Sequence, residues 1–172
     1  MATLFAVFAT FAVGAQTLQR GNGPEPGTLD AHRCQEVACG NVLRDLYEGL
    51  VTEDARGRLV PGMAQRWSMS ADGRTWTFVL RDGLRWSNGE VLDAPQVVAS
   101  FRRAFAPATA APFGELFDAL DNARAVQAGE RPPSALGVAS TDARTVVFTL
   151  NRSASLPALL TLPIAFPVYL PA

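Results

Sequence analysis

Residues 64–86, AQRWSMSADGRTWTFVLRDGLRW, decide how the rest of this chain is read. Trp67 and Met69 alternate with Ser68 and Ser70, and Ala71-Asp72-Gly73-Arg74 follows. Trp76, Phe78 and Leu80 then alternate with Thr75, Thr77 and Val79. Period-two alternation on either side of an Asp-Gly pair predicts a β-hairpin, because Asp and Gly accept the positive φ of a tight turn. Arg81-Asp82-Gly83 turns the chain again, Trp86 adds a third tryptophan, and Asn88-Gly89 makes a further turn. All three tryptophans therefore lie between 67 and 86, where they predict a local aromatic core, with Trp76, Phe78 and Leu80 on its inner face.

Upstream of the hairpin, Thr17–Arg20 reads as a short strand ended by the Gly/Pro-rich stretch 21–27. Asn41–Leu50 places Val42, Leu43, Leu46, Tyr47 and Leu50 on one helical face, and Gly49 is suited to end that helix in the left-handed conformation. Residues 51–52 and 58–60 predict a small hairpin across a polar loop. Downstream, Asp93 and Gln96 form a capping box for a helix whose buried stripe is Val97, Val98, Phe101 and Phe105. Arg102 and Arg103 are expected to face water, and Pro107 to end the helix. Phe113, Leu116, Phe117 and Leu120 have the spacing of a second amphipathic helix, and 123–128 of a short third one. Residues 136–138 and 145–150 predict strands about the turn 141–144. Residues 156–162 predict a short helix closed by Pro163, and 166–171 the entry to a strand. The fold class is α+β, a mixed sheet with packed helices.

A chain of 172 residues is one domain, or one domain and a tail. Fifteen basic against sixteen acidic side chains give a net charge of -1, so no electrostatic case exists for a nucleic-acid partner. Every basic residue is Arg; the absence of Lys removes Schiff-base and P-loop lysine chemistry. Residues 4–13 are an apolar run shorter than the ~20 residues that span a bilayer. With small residues at 13–15 the run reads as a signal peptide over 1–15, the alternative being a buried N-terminal helix. Export is expected on that reading. His32, Cys34 and Cys39 could supply three zinc ligands, but their spacing matches no strong zinc motif. An oxidising compartment favours a Cys34–Cys39 disulfide instead, and His32 reads as a surface or turn residue. No catalytic triad can be assembled around the single histidine, and no phosphate loop or calcium loop occurs. The residues thus point to a protein that is not an enzyme and uses no metal or cofactor.

Three stretches carry a family resemblance. Asp72-Gly73 with Thr75-Trp76-x-Phe78-x-Leu80-Arg81 and Trp86-Ser87-Asn88-Gly89 is the first. Asn41-Val-x-Arg-Asp-Leu-Tyr-Glu-Gly-Leu50, followed by Pro61-Gly-Met-Ala64, is the second, and Leu29-Asp30-Ala31-His32 the third. Together they resemble the family 5 solute-binding proteins, the oligopeptide- and dipeptide-binding receptors of bacterial ABC importers. The resemblance implies part of a two-lobed periplasmic binding protein (type II, peptide-binding subgroup). It divides the chain into a first segment of lobe I, 16–43, and an additional α/β subdomain, 44–172, with lobe II not represented. It implies an oligopeptide ligand, inner-membrane ABC permease subunits as partners, and a monomeric receptor; nickel complexes or murein peptides are alternative cargoes, and a degenerate, non-binding role is the rival. By the same resemblance, the peptide-binding residues are Gln35, which replaces a family Glu, Val37, whose backbone meets the ligand, and Phe113, where relatives often have Tyr.

Overall fold

The computed structural model describes residues 17 and 19–171, so the expected signal peptide lies outside the described residues. Helices α1 (Val37–Leu46), α2 (Ala94–Phe105) and α3 (Ala123–Gln127) are interleaved with six strands. Strands β1 (Val51–Glu53) and β2 (Leu59–Pro61) form a two-stranded ribbon, while β3 (Ala64–Met69), β4 (Thr75–Leu80), β5 (Val138–Ser140) and β6 (Thr145–Thr149) form a sheet of order β3-β4-β6-β5. Every described ladder is antiparallel. The class is α+β, as expected, with an antiparallel rather than mixed sheet.

The hairpin β3–β4 is the nucleus of that sheet. Trp67 pairs with Phe78 and Met69 with Trp76 across it. Its turn is set locally: Gly73 has φ +69, and Asp72 accepts from the Arg74 backbone N–H at 3.0 Å. β4 then pairs with β6, Trp76 opposite Phe148 and Phe78 opposite Val146. Phe78, Leu80, Val146 and Phe148 point to one side and are buried. On that side α2 lays its apolar stripe, with Phe101 edge-on to Phe148 at 5.0 Å and Phe148 edge-on to Phe78 at 5.5 Å. Trp67 and Trp76 stack on either flank of Phe78 at the margin of the core and are only half-buried. The Trp76 indole N–H donates to Ala154 O at 2.9 Å, so its polar edge is partnered where it leaves the core.

The capping box on α2 is complete: Asp93 accepts from Gln96 N, and the Gln96 side chain accepts from Asp93 N. Val97, Val98, Phe101 and Phe105 are buried, and the helix ends at Phe105 just before Ala106-Pro107. Elsewhere the local expectations shift. α1 runs over 37–46, not 41–50, and Leu46 is exposed. Its end is decided by sheet formation, since the carbonyls of Gly49 and Leu50 accept from Met63 N and Ala64 N and draw that segment out of the helix. Gly49 is not in the left-handed region; a Cβ there would lie 2.7 Å from Leu160 O, so it is Gly for want of space. Residues 114–117 form a 3-10 turn rather than an α-helix, burying Phe117 but exposing Phe113 and Leu116. Two further 3-10 turns, 159–161 and 163–165, replace the helix expected over 156–162, and Pro163 opens the second instead of closing the first. Residues 17, 19–20 and 166–171 form no strand.

A smaller apolar cluster joins Ala31, Cys34, Cys39 and Leu43 to Phe166 and Val168. The start of the described chain and its last segment thereby meet beside α2. No helix among the described residues is long and apolar enough to cross a membrane.

Candidate functional site

The Cys34–Val37 loop enters α1 without a side-chain cap, so the first backbone N–H groups of the helix have no partner within it. Val37, the first helical residue, is 78% exposed although it is apolar. Cys34 and Cys39 are joined in a disulfide that closes a loop over Gln35–Ala38. Glu36 turns back to accept from Gly27 N at 2.6 Å. The loop is thus held from two sides while Gln35 and Val37 remain open.

Phe113 reaches the same place from a different part of the chain. Pro107 starts a 3-10 turn, Ala110 takes φ +48, and Phe113 itself has φ +61. A left-handed conformation costs an aromatic L-residue roughly 1–2 kcal/mol, and here it holds a ring 46% exposed. Gln35, Val37 and Phe113 line one groove of about 210 Å³, whose far side is Leu162, Pro163 and Ile164. Arg44 and Glu36 are also in its lining. The groove is therefore largely apolar with one cation and one anion, a combination that suits an extended chain with apolar side groups.

Sequence reasoning missed what lies behind this groove. His32 is buried rather than at the surface, 1% exposed. Its Nε2 lies 3.0 Å from Phe166 O and 3.5 Å from Ser100 Oγ, and its Nδ1 lies 2.8 Å from Arg103 Nη1. Arg103 does not face water: it grips Asp30 with two parallel bonds, Nη1 to Oδ1 at 3.0 Å and Nη2 to Oδ2 at 2.6 Å. Arg102, beside it, is half-buried. Asp30 Oδ1 also accepts from His32 N, capping the short turn 31–33. Ser100 Oγ accepts from Val168 N at 2.8 Å. Burial pushes the His32 imidazolium down to about 4, with the Arg103 charge adding to the effect against the pull of Phe166 O and Asp30. The Arg103 guanidinium holds the Asp30 carboxyl below its ordinary range. One signal for this cluster was present in the sequence: Ser100 is a polar residue inside the apolar stripe of α2, and such a residue needs a buried partner.

The zinc alternative loses its ligands, since the two sulfurs are bonded to each other and both His32 nitrogens are engaged. Among the described residues no group of three His, Cys, Asp or Glu side chains could hold a metal ion.

The sequence profile of the bacterial extracellular solute-binding proteins, family 5 (middle region), matches residues 58–171, and the chain belongs to that family. It is 43% identical over 133 residues to the periplasmic oligopeptide-binding protein OppA of Haemophilus influenzae, covering 76% of this chain and 25% of that protein. It is 39% identical over 156 residues to the probable deoxycholate-binding periplasmic protein YgiS of Escherichia coli K12, covering 89% of this chain and 29% of that one. Among solved structures it resembles Haemophilus influenzae OppA in complex with RPPGFSPFR, with a TM-score of 0.82 at 37% identity, over 86% of this chain and 29% of that one. The unliganded open form of the murein tripeptide-binding protein MppA is similar too, with a TM-score of 0.78 at 37% identity, over 84% and 28%. The fold is thus part of a two-lobed periplasmic binding protein. The chain spans between 25% and 29% of the length of these two curated relatives.

Proposed function

We propose that this chain supplies one wall of an oligopeptide-binding cleft in a periplasmic receptor that delivers its ligand to an ABC permease in the inner membrane, and that it is not an enzyme. The observation that carries this reading is the convergence of Gln35, Val37 and Phe113 on one groove from two separate parts of the chain. An extended peptide hydrogen-bonds through its main chain, as an added strand would, and an uncapped helix start beside an open loop offers it donors. Phe113 presents a ring without a hydroxyl, so it recognises by stacking and apolar contact. On this reading 16–43 is the first segment of lobe I and 44–172 the additional subdomain. Residues 1–15 act as the export signal on this reading, and the receptor works as a monomer.

A clamp derives its affinity from both sides of the ligand, and this wall is one side. A few hydrogen bonds contribute about 0.5–1.5 kcal/mol each, against an association cost of about 4–15 kcal/mol. Residues 16–172 alone should therefore bind tri- to pentapeptides no better than about millimolar. Backbone amide shifts of Val37 and Phe113 on titration with a mixed peptide library test the reading. Shifts confined to the groove at millimolar peptide are the expected result, and no response from either amide overturns the assignment. Micromolar affinity overturns the one-sided argument. Parallel titrations with deoxycholate and with murein tripeptide decide the cargo.

A further inference from the structure

The groove's walls come from three segments distant in sequence, and two of them are fastened to side chains on one face of α2. The first wall, Cys34–Val37, follows directly on Asp30-Ala31-His32, where Asp30 is gripped by Arg103. The second, Pro163–Ile164, leads into Phe166 and Val168, whose backbone groups are held by His32 and Ser100. The third is the loop carrying Phe113. Its beginning is tied by Thr109 Oγ1 donating to Arg103 O at 2.5 Å and by Arg33 Nη2 donating to Ala108 O at 3.0 Å. His32 bonds both the Arg103 side chain and the Phe166 backbone.

The ring's protonation state follows from this geometry. A guanidinium only donates, so Nδ1, 2.8 Å from Arg103 Nη1, must present its lone pair. The proton of the neutral ring is then on Nε2, where Phe166 O accepts it. A second proton on Nδ1 would abolish the bond to Arg103 and set two cations against each other in a buried site. The charged groups facing the ring are few. Arg103 comes from α2, Asp30 from its own turn, and the segment 166–168 contributes only backbone. The Asp30 carboxylate is already engaged by Arg103 and by His32 N, and Arg33, which donates to Ala108 O, also brings its Nε to 3.9 Å from Asp30 Oδ2. Burial of the ring and the adjacent Arg103 both place protonation at about 4, well below the ordinary range.

We propose that His32 is a positioning residue of the groove: neutral, with its proton on Nε2, it locks the Cys34–Val37 and Pro163–Ile164 walls to each other and to α2, and protonation in acid releases both together. The proposal rests on the groove being the ligand site, and its test separates the two. His32 is the only histidine, so the imidazole nitrogen resonances of the whole chain report it without ambiguity. The expected result is an Nε2–H tautomer at neutral pH and a protonation midpoint near about 4. The backbone amides of Val37 and Ile164 should shift with that same midpoint, while Thr52 in the β1–β2 ribbon does not. A midpoint near the unperturbed ~6.5, an Nδ1–H tautomer, or groove amides indifferent to the titration overturns the proposal. In variants at neutral pH, His32→Ala should speed exchange of the hydrogen-bonded amides of Arg33 and Phe166, one beside each wall, at least about tenfold. His32→Gln, which keeps a donor for Phe166 O, should restore the Phe166 amide. Equal exchange in both variants and the native chain refutes the positioning role. If His32→Ala does not fold, the native titration still decides. A chain that passes these tests yet gives no peptide response at Val37 or Phe113 retains the lock and loses the binding assignment.

Discussion

Phe148→Ala is the sharpest probe of how the sheet and α2 are held together. Phe148 has no exposed surface, sits edge-on between Phe101 at 5.0 Å and Phe78 at 5.5 Å, and lies opposite both Trp76 and Val138 in the sheet. Truncation leaves a cavity that two neighbouring rings, each pinned by its own element, cannot collapse to fill. The loss should be about 3–5 kcal/mol, the range for a fully buried Phe. A domain of this size has roughly 5–15 kcal/mol in all, so about a fifth or more of its stability would go. Trp76→Ala, by contrast, removes a half-buried ring and one hydrogen bond to Ala154 O, and should cost about 2–3 kcal/mol. Urea unfolding followed by far-ultraviolet circular dichroism gives both values. With a slope of about 1–3 kcal/mol per molar, Phe148→Ala should lower the midpoint by about 2 M. A Phe148→Ala midpoint within ~0.5 M of the native chain would refute the reasoning, as would a larger loss for Trp76→Ala than for Phe148→Ala.

Stability should fall as pH drops from about 6.5 to about 4. The unfolded chain protonates His32 first, because the folded ring is held down at about 4, and the loss reaches about 3 kcal/mol by pH 4. Urea midpoints at pH 7.5 and 4.5 check it, and equal midpoints sink it. Thiol titration of unreduced, denatured protein should find no free thiol at Cys34 or Cys39; two free thiols refute the pairing. Reduction should cost about 2 kcal/mol, the low end for a disulfide, because the loop it closes spans a sequence separation of only 5. Gly49→Ala places a Cβ 2.7 Å from Leu160 O and 2.9 Å from Val51 O, both backbone, and should cost about 1–3 kcal/mol. An unchanged melting temperature would show that this approach is looser than described.

What the sequence by itself determined are the features whose cause lies within a few residues. The 67–80 hairpin follows from alternation and an Asp-Gly turn, the start of α2 from Asp93 and Gln96, its end from Pro107, and the β1–β2 ribbon from a polar loop between short apolar runs. The resemblance placed Gln35, Val37 and Phe113, but their meeting in one groove could not be read from residues so far apart in the chain. Tertiary structure alone decided the register of α1, because Gly49 and Leu50 are claimed by Met63 and Ala64. It alone turned Phe113 outward, since helical spacing at 113, 116, 117 and 120 predicts a buried stripe that a 3-10 turn does not form. The cluster behind the groove is the clearest case. In sequence His32 is a polar residue in a turn and Arg103 one of two arginines on a helix, and each reads as solvated. Only when the chain brings Phe166 and Val168 back across α2 is His32 buried and Arg103 partly covered, leaving Asp30, Ser100 and two backbone groups as their partners.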